Sequence, residues 1–145
     1  MIRWAATGDI QAMVAHAERM HRESNYSSLS FSTEKMTDTV LNAITNGFAM
    51  VAEIDGVVVG GMLGGLTCPC FSDDVQGFEY GIYLDRSHRS GLIAAKLISA
   101  FTTWCIDRGA KQIRVGNSTG HDGVSRLYER LGYRSSGQLF FRNVG

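Results

Sequence analysis

The succession of apolar periodicities along the chain predicts an α/β (α+β) fold with the element order β-α-α-β-β-β-α-β-α-β. Three observations carry that expectation. Asp55-Gly56 separates two strand-like runs, Ala49 to Ile54 and Val57 to Leu66, which is the strongest short-range hairpin signal. Four further segments place apolar residues at helical spacing. The stretch from Glu79 to Phe101 passes from a strand through a short basic turn straight into one of them. At 145 residues the chain suits one domain, 1–145, large enough for a hydrophobic core.

Ile2 to Ala5 reads as a short strand. A helix from about Asp9 to Glu23 follows, with Ile10, Met13, Val14, Ala17 and Met20 at helical spacing and Thr7-Gly8-Asp9 as its polar start. After the loop Ser24 to Ser30, a second helix begins near Ser32, carries Met36, Val40, Leu41 and Ile44 on one face, and stops at Asn46-Gly47. The second hairpin arm contains Gly60-Gly61-Met62-Leu63-Gly64-Gly65, but the G-x-G-x-x-G spacing is not met and no helix follows. Those glycines predict a bulge, or the close approach of a ligand or neighbouring backbone. A loop from Thr67 to Gln76 leads to the strand Phe78 to Leu84. The helix opening at Leu92 carries Ile93, Leu97, Ala100, Phe101, Trp104 and Cys105 and ends at Arg108-Gly109. Gln112 to Gly116 is the next strand, and Val124, Leu127, Tyr128 and Leu131 mark a shorter helix ending at Gly132. Gln138 to Asn143 predicts a final strand.

Between strand and helix lies the turn Asp85-Arg86-Ser87-His88-Arg89-Ser90-Gly91. A helix start aims unpaired N–H groups and the positive end of its dipole at whatever sits in such a turn, so an anion is stabilised there. Arg86, His88 and Arg89 also fit an ordinary solvated loop, but three cationic or titratable groups before a helix start suit an anion better. The expected ligand is a phosphorylated cofactor.

Fourteen basic residues balance 14 acidic ones, which argues against a non-specific nucleic-acid or membrane-surface binder. The apolar runs fall short of the ~20 residues of a membrane span, and the N-terminus lacks a signal pattern, so a soluble, cytoplasmic protein is expected. Three cysteines, Cys68, Cys70 and Cys105, cannot all pair within one chain, which fits a reducing compartment. Cys68-Pro69-Cys70 lacks the usual ligand spacing and a matching second pair, so it reads as loop and not as a metal site. G-x-x-x-x-G-K-[ST] is absent, which removes a P-loop.

Ile82-Tyr83-Leu84-Asp85-Arg86-Ser87-His88-Arg89 resembles the fourth strand and pyrophosphate loop of the GNAT superfamily of acyl-CoA-dependent N-acyltransferases. Leu127-Tyr128-Glu129-Arg130-Leu131-Gly132-Tyr133 resembles its Leu-Tyr-x-x-x-Gly-Phe signature. The resemblance covers essentially the whole chain. It implies a GNAT-like mixed, mostly antiparallel sheet of six to seven strands flanked by about four helices. It also implies an N-acetyltransferase that moves an acetyl group from acetyl-CoA (coenzyme A), as cosubstrate and without a metal, directly to a primary amine. The implied partners are a small-molecule or peptide amine acceptor, with no nucleic acid and no membrane, and a homodimer is left open. The family loop commonly reads Arg-x-x-Gly-x-Gly or Ala. Counted from Arg89, Leu92 stands at the glycine position, Ala94 at the last, and Gly91 one residue early. Arg86 stands where many members have proline, and His121 where an asparagine is often found. Leu92 is the main argument for a second reading, a degenerate acyl-CoA-binding module that acts as a sensor or binds a partner; Tyr128 favours the enzyme.

By the resemblance, the turn from Arg89 through Ser90, Gly91, Leu92 and Ile93 to Ala94 holds the pyrophosphate. Ile82, Tyr83 and Leu84 bond the pantetheine arm by their main chain, the N–H of Leu84 points at the thioester carbonyl, and Asn117 joins the cofactor site. Tyr128 matches the tyrosine that protonates the departing thiolate. An aromatic on an apolar helical stripe is more often core than catalytic, and the Gly132-Tyr133 ending is what turns the reading to general acid. The base is read from alternation: Glu79, Gly81 and Tyr83 are expected on one face of their strand, with Glu79 pointing into the cleft. A salt-bridged Glu is the competing reading, and His121 and His88 are the runners-up. Ser24 to Phe31 and Thr67 to Gln76 are expected to flank the acceptor entrance. There Glu23, Asp73 and Asp74, with Tyr26, Phe31 and Phe71, would form an acidic and aromatic rim that suits an amine.

Overall fold

The computed structural model describes residues 1–89 and 91–145. Its elements are β1 (Ile2–Trp4), α1 (Ile10–Glu23), α2 (Thr33–Asn46), β2 (Phe48–Ile54), β3 (Val57–Thr67), β4 (Gln76–Leu84), α3 (Leu92–Asp107), β5 (Gln112–Arg114) and α4 (Asp122–Arg130). Single turns of 3-10 helix, Thr7–Asp9 and Arg86–His88, precede α1 and α3. The strands lie side by side in the order β1-β2-β3-β4-β5, antiparallel up to β4 and parallel between β4 and β5. A mixed, mostly antiparallel sheet flanked by four helices is therefore present among the described residues.

Local chemistry sets most boundaries. Ser32 accepts from the Lys35 N–H at 3.1 Å and caps α2. Asp55 and Gly56 take φ values of 51° and 78°, the paired positive angles of a two-residue hairpin turn. Alternation along β2 then divides the core between two faces. Phe48, Met50 and Ala52 pack with Leu97, Ile98, Phe101 and Trp104 of α3, whereas Ala49 and Val51 pack with Met13 and Val14 of α1 and with Val40 and Ala43 of α2. Each large side chain so buried contributes ~1.5–3 kcal/mol. The sheet is thereby clamped from both sides, and its register is fixed.

β4 is interrupted. Leu63 pairs with Gly81 but Gly64 pairs with Glu79, which leaves Tyr80 as the extra residue of a bulge. Glu79 lies opposite Gly64, where an added Cβ would run into the Phe101 ring of α3. A Cβ on Gly81 would meet Met20 Cε of α1 at 2.6 Å, and Tyr83 stacks on His16 of α1. Glu79 therefore faces α3 while Gly81 and Tyr83 face α1. This corrects the expectation that the three share a face: a bulge shifts the period-two pattern by one residue.

The expected final strand, Gln138 to Asn143, does not form, and the sheet has five strands among the described residues where six to seven were expected. Leu139, Phe140 and Phe141 are 97%, 88% and 65% exposed, so the apolar pattern there has no neighbour to cover it. A strand's amides need a partner, and the outer edge of β5, only three residues long, is left unpaired. β5 also ends at Arg114 and not at Gly116, because its last pair is with Phe78 of β4.

Candidate active site

β4 and β5 separate after the Phe78–Arg114 pair, so the outer edge of β4 from Glu79 to Leu84 borders an open cleft. The Asp85 N–H donates to Val59 O on β3 at 2.8 Å. Alternation then directs the amides of Leu84 and Ile82 the other way, toward the cleft. Tyr83 keeps its amide on the β3 side and presents its ring to α1.

α3 opens at one end of this cleft. Its N-cap is Gly91 with φ +97°, and the first intrahelical bond runs from the Ala95 N–H to Gly91 O at 2.9 Å. The amides of Leu92, Ile93 and Ala94 precede that bond and suit an anion. The early glycine is now explained, since the position that needs a positive φ is 91 and Leu92 is already helical. Ser90 lies outside the described residues. Gly91→Ala is expected to weaken acetyl-CoA binding about tenfold: a Cβ at this φ costs ~1–3 kcal/mol, so the loop relaxes and binding must restore it. Calorimetry checks this, and Leu92→Gly should bring no gain.

Arg89 is held within the protein. Its Nε–H donates to Leu84 O at 2.7 Å, its Nη2 donates to Glu23 Oε2 at 3.0 Å, and its guanidinium lies 5.1 Å from the centre of the Tyr83 ring. Arg86 reaches the other oxygen of Glu23 at 3.4 Å. Burial pulls the Glu23 carboxyl upward, but the hydrogen bonds and charges of Arg89 and Arg86 outweigh it and hold it below the usual range. Glu23, expected in the acidic rim, is thus a paired anchor that ties the end of α1 to the anion loop. The loop with Phe71, Asp73 and Asp74 lies away from the cofactor end of the cleft. It precedes Gln76, at the opposite end of β4 from Leu84 and the start of α3. The α1–α2 loop does border the cleft, for the Asn25 N–H donates to Ser118 O at 2.8 Å.

Two side chains meet at the backbone of one residue, Gly116, across the cleft. The Gly116 N–H donates to Glu79 Oε1 at 2.9 Å, and the Tyr128 hydroxyl donates to Gly116 O at 3.2 Å. Glu79 Oε2 is buried and has no partner among the described residues. Burial, only partly offset by the Gly116 N–H, pushes the Glu79 carboxyl up to about 7. Burial and then the charge of Glu79 raise the Tyr128 phenol, so it keeps its proton. The signature residues position it. Gly132, at φ +96°, ends α4; the Tyr133 N–H donates to Tyr128 O at 3.0 Å, and the Tyr133 hydroxyl lies 2.7 Å from Thr102 Oγ1 on α3.

Asn117 is occupied in its own turn. Its Nδ2 donates to His121 O at 2.8 Å and to Ser125 Oγ at 3.2 Å, and its Oδ1 accepts from the Thr119 N–H at 3.2 Å. Its side-chain amide thereby orders the approach to α4. His121 is the N-cap of α4 and His88 contacts Ser87, so neither sits at the Gly116 junction. His16 was missed, although it follows Met13 by three residues and precedes Met20 by four, on the buried face of α1. Helical spacing alone would have found it.

A splayed β4–β5 pair with an anion-binding helix start beside it is the architecture of an acyl-CoA-dependent acyltransferase. The profile of the acetyltransferase (GNAT) family matches residues 11–133, and the chain belongs to that family. It is accordingly an acetyl-CoA-dependent acetyltransferase that acts on an amine. Among solved structures it is similar to a GCN5-related N-acetyltransferase from Ralstonia eutropha JMP134, at 20% identity and TM-score 0.80, over 100% of this chain and 99% of that one. It is also similar to the aminoglycoside acetyltransferase HMB0005 from an uncultured soil metagenomic sample, at 19% identity and TM-score 0.71, over 100% and 98% of the two chains. A third is the ribosomal-protein-alanine N-acetyltransferase from Brucella melitensis biovar Abortus 2308, at 15% identity and TM-score 0.73, over 99% of each chain. At these identities the likeness is one of fold. Among the described residues no helix is long and apolar enough to cross a membrane.

Proposed function

We propose that one domain, residues 1–145, carries out direct transfer of the acetyl group to a primary amine in the cleft between β4 and β5, with Glu79 as base and Tyr128 as acid. The carrying observation is the junction at Gly116, whose backbone N–H and C=O hold a carboxyl of pKa about 7 and a protonated phenol on the same residue. Acetyl-CoA supplies an acyl group activated as a thioester. The amides of Leu92, Ile93 and Ala94 fit its pyrophosphate, and the amides of Ile82 and Leu84 are available along its arm. Glu79 Oε2, buried and without a partner among the described residues, takes the proton of the amine; a base poised near neutrality is matched to that task. Tyr128 holds its proton for the departing sulfur.

The positive φ at Gly91 supplies the turn that Leu92 cannot, which removes the main support for a degenerate binding module. Small amines and peptide N-termini both remain acceptors of the right chemistry. Three free cysteines suit a reducing, cytoplasmic setting. A homodimer would give residues 138–143 a place, as an added strand on the open β5 edge of a second copy, since Leu139, Phe140 and Val144 are otherwise bare. Deleting residues 138–145 is then expected to turn a dimer into a monomer in sedimentation; a full-length monomer would refute it. The catalytic reading is tested by thiol release with saturating amine between pH 5.5 and 8.5. Activity should rise with an apparent pKa near 7, the value for Glu79, and a flat profile counts against it.

A further inference from the structure

A cavity of about 40 Å³ lies on the α1 face of the sheet, behind the bulge of β4. Met13, Met20 and Met36 contribute to its apolar wall, Tyr80 and Tyr83 line its β4 side, and His16 projects into the same space. Its position is informative. The wall from Tyr80 to Tyr83 belongs to the stretch of β4 whose outer edge is open to the cleft, whereas α3, which carries the anion-binding amides, packs on the opposite face. A second substrate can therefore reach the cavity from the side away from the cofactor helix.

His16 supplies an independent sign of a ligand. It is 7% exposed, and its Nδ1 is buried without a partner among the described residues. The Asp85 carboxylate, with Oδ1 3.8 Å from Nε2, favours the tautomer protonated at Nε2, in which Nδ1 is an acceptor. Burial lowers the ring's pKa, with Asp85 opposing and Arg19 adding to the effect, which favours the neutral imidazole. The nearby carboxylates are already matched: Asp85 with Arg19 at 3.3 Å, and Glu23 with Arg86 and Arg89. Neither of these two carboxylates offers free negative charge to a polycation. An apolar arm finds three adaptable methionines, and since one water needs ~10–15 Å³ on this scale, about three heavy atoms fit.

We propose that this cavity is the acceptor subsite, and that it takes a short aliphatic arm ending in a hydrogen-bond donor to His16 Nδ1. The acceptor class is a monoamine with a hydroxyl- or amide-terminated arm. The assignment rests on the cleft being the site of acetyl transfer. It is tested with ω-hydroxyalkylamines of two to six carbons against n-alkylamines of equal heavy-atom count, at saturating acetyl-CoA. At the best length the hydroxyl compound should exceed its alkyl counterpart in kcat/KM by roughly two- to tenfold, the worth of one neutral hydrogen bond. His16→Phe keeps a ring on Tyr83 and should abolish that difference with the KM for acetyl-CoA unchanged, and His16→Asn should restore part of it. No hydroxyl preference at any length in the wild type overturns the subsite, as does a preference that survives in His16→Phe. Transfer to other amines that depends on Tyr128 but not on His16 also removes the subsite while leaving the catalytic reading intact. Failure to acetylate any amine removes both.

Discussion

Glu79→Gln is expected to lower kcat by ~10²–10⁴ and to remove the rise in activity through pH 7, with acetyl-CoA affinity preserved. The amide oxygen of glutamine still accepts from the Gly116 N–H, so the junction keeps its shape while the proton acceptor is gone. The same substitution reads out in stability. The folded-state pKa of Glu79, about 7, lies above its ordinary 4.5, so the folded protein binds this proton more tightly than the unfolded chain. Its contribution is complete below pH ~4.5 and is lost as the pH rises through 7, a change on the order of 3 kcal/mol. Glu79→Gln should melt at a higher temperature than the wild type above pH 7 and lose this slope. A variant with the wild-type pH profile of activity removes Glu79 as the base.

Tyr128→Phe should lower kcat by ~10²–10⁴ with little change in the KM for acetyl-CoA, because the proton is needed in the transition state and not for binding. The ring still packs beside Tyr133, whose centroid is 5.9 Å away. Loss of the hydroxyl leaves Gly116 O one donor short, a stability cost of ~1 kcal/mol that denaturant unfolding would register. A wild-type rate under conditions where chemistry is limiting makes Tyr128 a core residue. Glu79 and Tyr128 share Gly116, so the double variant should fall well short of the product of the two losses.

Much of the arrangement was legible before any coordinates. The hairpin at Asp55-Gly56, the start of α2 near Ser32 and the start of α3 after the basic turn follow from the allowed angles of single residues and the hydrogen-bonding needs of helix ends. The pairing of Tyr128 with Gly132 and Tyr133 was legible as a motif, and the contacts with Thr102 show why its parts go together. These are local properties.

Four features were decided only in three dimensions. The bulge at Tyr80 turned Glu79 toward α3, because register belongs to a pair of strands and cannot be read from either one. Glu23 changed from rim carboxylate to anchor because Arg86 and Arg89, more than sixty residues away along the chain, fold onto it. Gln138 to Asn143 has the composition of a strand and no strand beside it. Glu79 and Tyr128 meet at Gly116 for the same kind of reason. The chain by itself determined which segments become helices and strands and where an anion can bind, since propensity, caps and periodicity act over a few residues. The tertiary structure decided which charges are neutralised, which faces are shared and which polar atoms are left to meet a substrate, since each depends on partners that only folding brings together.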